Sequence, residues 1–129
     1  MAAINEVTDL VLDGDVAVVT VDSPPVNALS SNVRAGIDTA VKQANESEAA
    51  AIVLICAGRT FIAGADITEF GGAAKGPSLR DVQDTLENSA VPVVAAIHGT
   101  ALGGGLELAL CAHYRIAVPS ARCGLPEVN

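Results

Sequence analysis

The chain alternates between short apolar runs and segments in which apolar residues recur every three or four positions. Val7 to Leu12 and Val16 to Val21 read as two strands, and Asp13-Gly14-Asp15 between them supplies a hairpin turn. Pro24-Pro25 then stops sheet pairing. Beyond Ser30 or Ser31, either of which can cap a helix, Val33, Ile37, Ala40, Val41 and Ala44 fall on one helical face, with Arg34, Asp38 and Lys42 opposite. Ala51 to Cys56 is continuously apolar, which predicts a strand covered on both faces. Ala57 to Thr60 and the glycine-rich stretch Gly71 to Pro77 read as loops, the latter on the surface.

Ser78 starts a second predicted helix running to about Asn88, and Pro92 to Ile97 is a second buried strand. A third helix begins in Gly103-Gly104-Gly105 and runs to about Ala112, and Tyr114 to Val118 is a further short strand. Strands alternating with helices predict an α/β layer architecture with parallel central strands. No internal repeat, long linker or low-complexity tract divides the chain, and 129 residues suit one domain.

Composition narrows the function classes. Seven Lys and Arg against fifteen Asp and Glu leave a formal charge of −8, with no basic run, which argues against nucleic acid as a partner. An anionic small ligand would have to be held by local groups against the overall field. No apolar run approaches a membrane span, and the start, Met-Ala-Ala-Ile-Asn-Glu, has no signal-peptide pattern. Three scattered cysteines suggest a reducing compartment, and the spacing of Cys111, His113 and Cys123 fits no common zinc pattern. With no Trp, one Tyr and two Phe, the core must be built from small and branched aliphatics.

Two glutamates stand apart from the other acids. Glu107 lies in Gly103-Gly104-Gly105-Leu106-Glu107-Leu108-Ala109-Leu110, otherwise uncharged, and Glu127 closes Cys123-Gly124-Leu125-Pro126-Glu127. A carboxylate in such surroundings is expected to be buried or to face a cavity, and two in one cavity can divide acid and base work. The glycines from Gly99 to Gly105 allow a ligand close to the backbone, and equally allow tight helix-to-sheet packing. They match neither the dinucleotide pattern nor a P-loop. Phe61 to Phe70 is a second strand-end turn whose amide near Ala65 can converge with one from the glycine turn on a single oxygen. Asp66 reads as a cap for the turn that follows it. His98 and His113 read as structural, and Asp13, Asp15, Asp81, Asp84 and Glu87 as a solvated face.

At these residues the chain resembles the crotonase superfamily. Pro25-Val26-Asn27-Ala28-Leu29, Phe61 to Phe70, Ala101 to Ala109 and Gly124-Leu125-Pro126-Glu127 fall in that family's order and span nearly the whole chain. The wording is most similar to the hydratase part of bifunctional β-oxidation enzymes, which carry an NAD-dependent dehydrogenase part further along. The resemblance implies a crotonase-like fold of repeated ββα units, of which residues 1–129 form the amino-terminal part of one domain, truncated at its carboxy-terminal end. It implies hydration of trans-2-enoyl-CoA, with isomerisation, another crotonase-type reaction or non-catalytic CoA binding as alternatives.

By the same resemblance Glu107 and Glu127 are catalytic, and the amides of Ala65 and Gly104 hold the thioester oxygen. Ala63, Asp66, Ile67 and Thr68 contact CoA. No metal and no separate cofactor is implied in this segment, since CoA arrives as part of the substrate and NAD belongs to the dehydrogenase part. The expected setting is cytoplasmic, or peroxisomal in a eukaryote, with a homo-oligomer for the complete enzyme. A chain of this length is expected to be poorly stable, aggregation-prone and inactive alone.

Overall fold

The computed structural model describes residues 2–64 and 76–125. The hairpin forms as the sequence predicts: β2 (Thr8–Asp13) pairs antiparallel with β3 (Val16–Val21), and Gly14 takes a positive φ of 62° at the turn. A strand that the sequence reading did not foresee, β1 (Ala2–Asn5), adds antiparallel to β2. From β3 onward the sheet is parallel, through β4 (Ala51–Cys56), β5 (Val93–Ile97) and β7 (Tyr114–Ala117). The strand order is β1-β2-β3-β4-β5-β7.

Parallel neighbours require crossovers, and each crossover here passes through a second layer. After β5 the chain forms β6 (Thr100–Leu102), and after β7 it forms β8 (Arg122–Gly124); these two pair in parallel as a small second sheet. After β4, Ala63 bridges to Leu102 on the other side of β6. Helices complete the turns: α1 (Ser31–Glu46) follows β3, α2 (Leu79–Glu87) follows β4, and α3 (Gly104–Leu110) follows β6. The architecture is therefore a winding ββα repeat, although no repeat is visible in the sequence.

Helix α1 carries the predicted stripe. Val33, Ile37, Ala40, Val41 and Ala44 are buried, and Ser30 caps its first turn by accepting from the Val33 amide at 3.2 Å. Gly36 belongs to the same stripe, because a side chain there would run into Thr8 of β2. The three central strands alternate strictly, with Ala17, Val19, Val21, Ile52, Leu54, Cys56, Val93, Ala95 and Ile97 in one continuous core. Fully burying each larger aliphatic contributes about 1.5–3 kcal/mol, so this layer supplies most of the drive to fold.

The expectation that the central strands are covered on both faces is corrected. Val53 and Ile55 on β4, and Val94 and Ala96 on β5, are only half-buried. Both faces of these strands are apolar, so the pattern alone could not show that only one is packed. At the sheet edge β7 is exposed at every position.

Candidate active site

The described parts of the four sequence motifs converge where the parallel strands meet the small sheet. In the first, Asn27 is buried in the left-handed region at φ 52°. Its side-chain oxygen accepts from the Ser23 amide at 2.6 Å, and its amide group donates to the carbonyls of Ala57 at 3.0 Å and Thr60 at 2.8 Å. Asn27 thus ties the loop leaving β3 to the loop leaving β4. Arg34 extends the tie by donating to Leu29 O at 2.7 Å and Pro77 O at 2.8 Å. Neither role was foreseen, although an Asn between turn-forming prolines and an apolar run is a known αL signal.

The second motif lies between the first and the small sheet. Phe61 and Ile62 are fully buried. Ala63 N donates to Val26 O at 3.2 Å, and Leu29 N donates to Gly64 O at 3.0 Å. Ala63 is thereby placed beside both Val26 and Leu102. Ala65, Asp66, Ile67 and Thr68, expected respectively to donate to the oxyanion and to contact CoA, lie outside the described residues.

The third motif is the start of α3. Gly103 takes a φ of 53° and donates its amide to Gly124 O at 2.9 Å, which brings the fourth motif alongside. Gly105 packs so closely on Ile62 that a Cβ would overlap the Ile62 carbonyl. Here the packing reading of the glycine run holds, and it sets the position of the helix. Gly104, one residue earlier, approaches only the flexible ends of Leu29 and Leu79, at 3.0 and 3.3 Å from where a Cβ would stand. Its amide heads the helix, where the first N–H groups have no intrahelical acceptor and favour negative charge. Glu107 follows in the first turn, half-buried, its own amide bonded to Gly103 O at 2.9 Å. The structure thus brings Gly104, Glu107 and Ala63 into one region; Glu127 lies outside the described residues.

The neighbouring polar groups serve the framework. His98 bonds through Nε2 to Gly58 O at 2.9 Å, and His113 accepts from the Val93 amide through Nδ1, also at 2.9 Å. Burial pushes the Cys56 thiol up to about 12, against a smaller opposing backbone hydrogen bond from Ile62. Cys111 is raised to about 11, first by burial, then by its hydrogen bond to Glu87 and the charges of Glu87, Asp84 and Glu107. Neither thiol is a nucleophile near neutral pH. Asp81 is not merely solvated: it closes a capping box with Ser78 at the head of α2.

Residues 12–129 match the family described as enoyl-CoA hydratase/isomerase. A peroxisomal bifunctional enzyme of Danio rerio is 53% identical over 116 residues, which cover 88% of this chain and 16% of that protein. A probable enoyl-CoA hydratase of Bacillus subtilis (strain 168) is 41% identical over 131 residues, covering 93% of this chain and 50% of the relative. Among solved structures, an enoyl-CoA hydratase/carnithine racemase from Magnetospirillum magneticum superposes with a TM-score of 0.86 at 33% identity, over 95% of this chain and 50% of the other. The chain therefore spans half or less of the length of each of these proteins.

Proposed function

The chain belongs to the enoyl-CoA hydratase/isomerase family, and from that premise we propose that it carries the amino-terminal share of a site that adds water to a trans-2-enoyl-CoA in fatty-acid β-oxidation. The observation that carries this reading is the head of α3, where Gly105, seated on Ile62, places the Gly104 amide at the first position of the helix, one turn ahead of Glu107. The Gly104 amide, with that of Ala65, accepts the charge that builds on the thioester oxygen as the β-carbon is attacked. One of Glu107 and Glu127 takes a proton from water, whose oxygen bonds to the β-carbon. The other delivers a proton to the α-carbon, and the enolate collapses to the 3-hydroxyacyl thioester. No metal enters this scheme, and CoA takes part only as the substrate's handle.

The names of the relatives, a probable enoyl-CoA hydratase and peroxisomal bifunctional enzymes among them, support this assignment. They also support a peroxisomal setting if the protein is eukaryotic. The test is loss of enoyl absorbance when crotonyl-CoA meets the natural-length protein carrying this segment. Glu107→Gln is expected to lower kcat by about a hundredfold or more while leaving CoA binding intact. Undiminished hydration in that variant would overturn the paired-carboxylate mechanism. Double-bond migration without hydration would favour an isomerase, and CoA binding without either reaction a non-catalytic module.

A further inference from the structure

The two histidines make hydrogen bonds of opposite polarity. His98 Nε2 faces a carbonyl, Gly58 O at 2.9 Å, so the ring is the donor there. His113 Nδ1 faces an N–H, that of Val93 at 2.9 Å, so here the ring is the acceptor. An imidazole that gains a proton keeps a donor bond and loses an acceptor bond, because both nitrogens of the cation carry hydrogen. Val93 is fully buried, so its amide has no solvent to turn to when that bond is lost.

The same residue holds both backbone groups of Val93, since His113 N donates to Val93 O at 2.9 Å. This two-point contact lies where α3 ends. Cys111 is the C-cap, Ala112 N bonds to Ala109 O at 3.1 Å, and His113 follows. The helix is therefore fixed at both ends, at its head by Gly105 on Ile62 and at its tail by His113 on Val93. Its seven residues make a rod of about 10 Å, short enough to move as one piece.

His113 helps to line a cleft of about 460 Å³, shared with the uncharged side chains of Ser89 to Pro92 and the phenol of Tyr114. On the elements around it, Cys111 is bonded to Glu87 of α2 and lies in the field of Asp84 and Glu107. Arg115 of β7 is engaged on Ala112 O at 2.9 Å. None of these groups bonds the His113 ring, whose partner among the described residues is the Val93 amide, so the contact follows the ring's own protonation.

We infer that His113 is a pH-dependent clasp on the helix that carries Gly104 and Glu107: the neutral ring anchors the tail of α3 to β5, and the protonated ring releases Val93. The hold follows from the hydrogen bonds alone, and its effect on turnover rests on the hydratase reading given above. The bond contributes above the range in which an imidazole titrates, ordinarily about pH 6.5, and is lost as pH falls through that range. Displacing a site by about 1 Å from a distance can cost a hundredfold in rate, so a released tail is felt at the head.

The test compares the natural-length protein carrying this segment with two variants, between about pH 8 and about pH 5.5. His113→Asn keeps an acceptor oxygen near the place of Nδ1 and takes up no proton, whereas His113→Ala has no acceptor. The direct readout is hydrogen exchange at the Val93 amide, taken as a ratio between proteins at one pH so that the intrinsic chemistry cancels. The wild type is expected to match His113→Asn near the upper pH. Near the lower it should exchange at least about fivefold faster, the loss of one neutral hydrogen bond, and approach His113→Ala. The kcat for crotonyl-CoA should follow, with the ratio of wild type to His113→Asn falling over the same interval and KM little changed. An exchange ratio that ignores pH would overturn the clasp and leave the hydratase reading standing. One that switches while the kcat ratio stays flat would overturn its hold on the site. Switching at Val93 in a wild type that does not hydrate crotonyl-CoA would overturn the hydratase reading and leave the clasp.

Discussion

At the scale of single residues, adjacent glycines in one turn do different work. Gly105 has no room for a methyl group, because the obstacle is the Ile62 backbone, whereas Gly104 faces side-chain ends that can yield. Gly105→Ala is therefore expected to cost about 3 kcal/mol in urea unfolding, near the upper end of ordinary overpacking, and Gly104→Ala clearly less. Equal costs at the two positions would show that α3 is not seated on Ile62. The glycine run was legible as special, but its division of labour was not, since Ile62 approaches from more than forty positions away in sequence. Glu107 was legible for a simpler reason, being the one charge in an apolar helix. Asn27 was legible only as part of a motif, because its three hydrogen-bonding partners lie in loops that fold back onto it.

At the scale of elements, local signals were read well and non-local ones were not. Ser30 and Ser78 mark the two helix starts through hydrogen bonds within three residues of themselves. The short strands β6 and β8, by contrast, exist only because the ββα winding brings three segments side by side, and three-residue strands leave no periodicity to read. The capping box of α2 gives a prediction at this scale. Asp81 is held below the usual carboxylate range, first by the backbone hydrogen bond from Ser78, then by the Ser78 side chain. A carboxylate depressed in the folded state stabilises above its unfolded pKa of about 4, and that contribution is lost as pH falls through the lower folded value. The Ser78 amide resonance should therefore titrate at a pH below about 4 in the wild type and stay flat in Asp81→Ala. A midpoint at or above the ordinary carboxylate value would show that the box is not closed in solution.

At the scale of the whole molecule, the sheet has a packed apolar face and an open apolar face. In register, Val18, Val53 and Val94 stand side by side on the open side, and Ala96 leads on to Ile116 of β7. Tyr114 and Ile116 are 64% and 65% exposed, on a strand whose far edge is unpaired among the described residues. An apolar strand with free edge amides is a template for pairing with another chain. Net charge of −8 opposes that encounter over a screening length of about 10 Å at 0.1 M salt, so association should grow as salt is raised. Sedimentation velocity on the isolated chain is accordingly expected to show concentration-dependent association that strengthens with salt and is suppressed by Ile116→Lys. That substitution places a charge where nothing packs, so it should leave the thermal transition within about 0.5 kcal/mol of the wild type, as for ordinary surface changes. If the chain stays monomeric at high salt, or if Ile116→Lys unfolds it, then β7 is not an open edge and this face of the sheet is closed in solution.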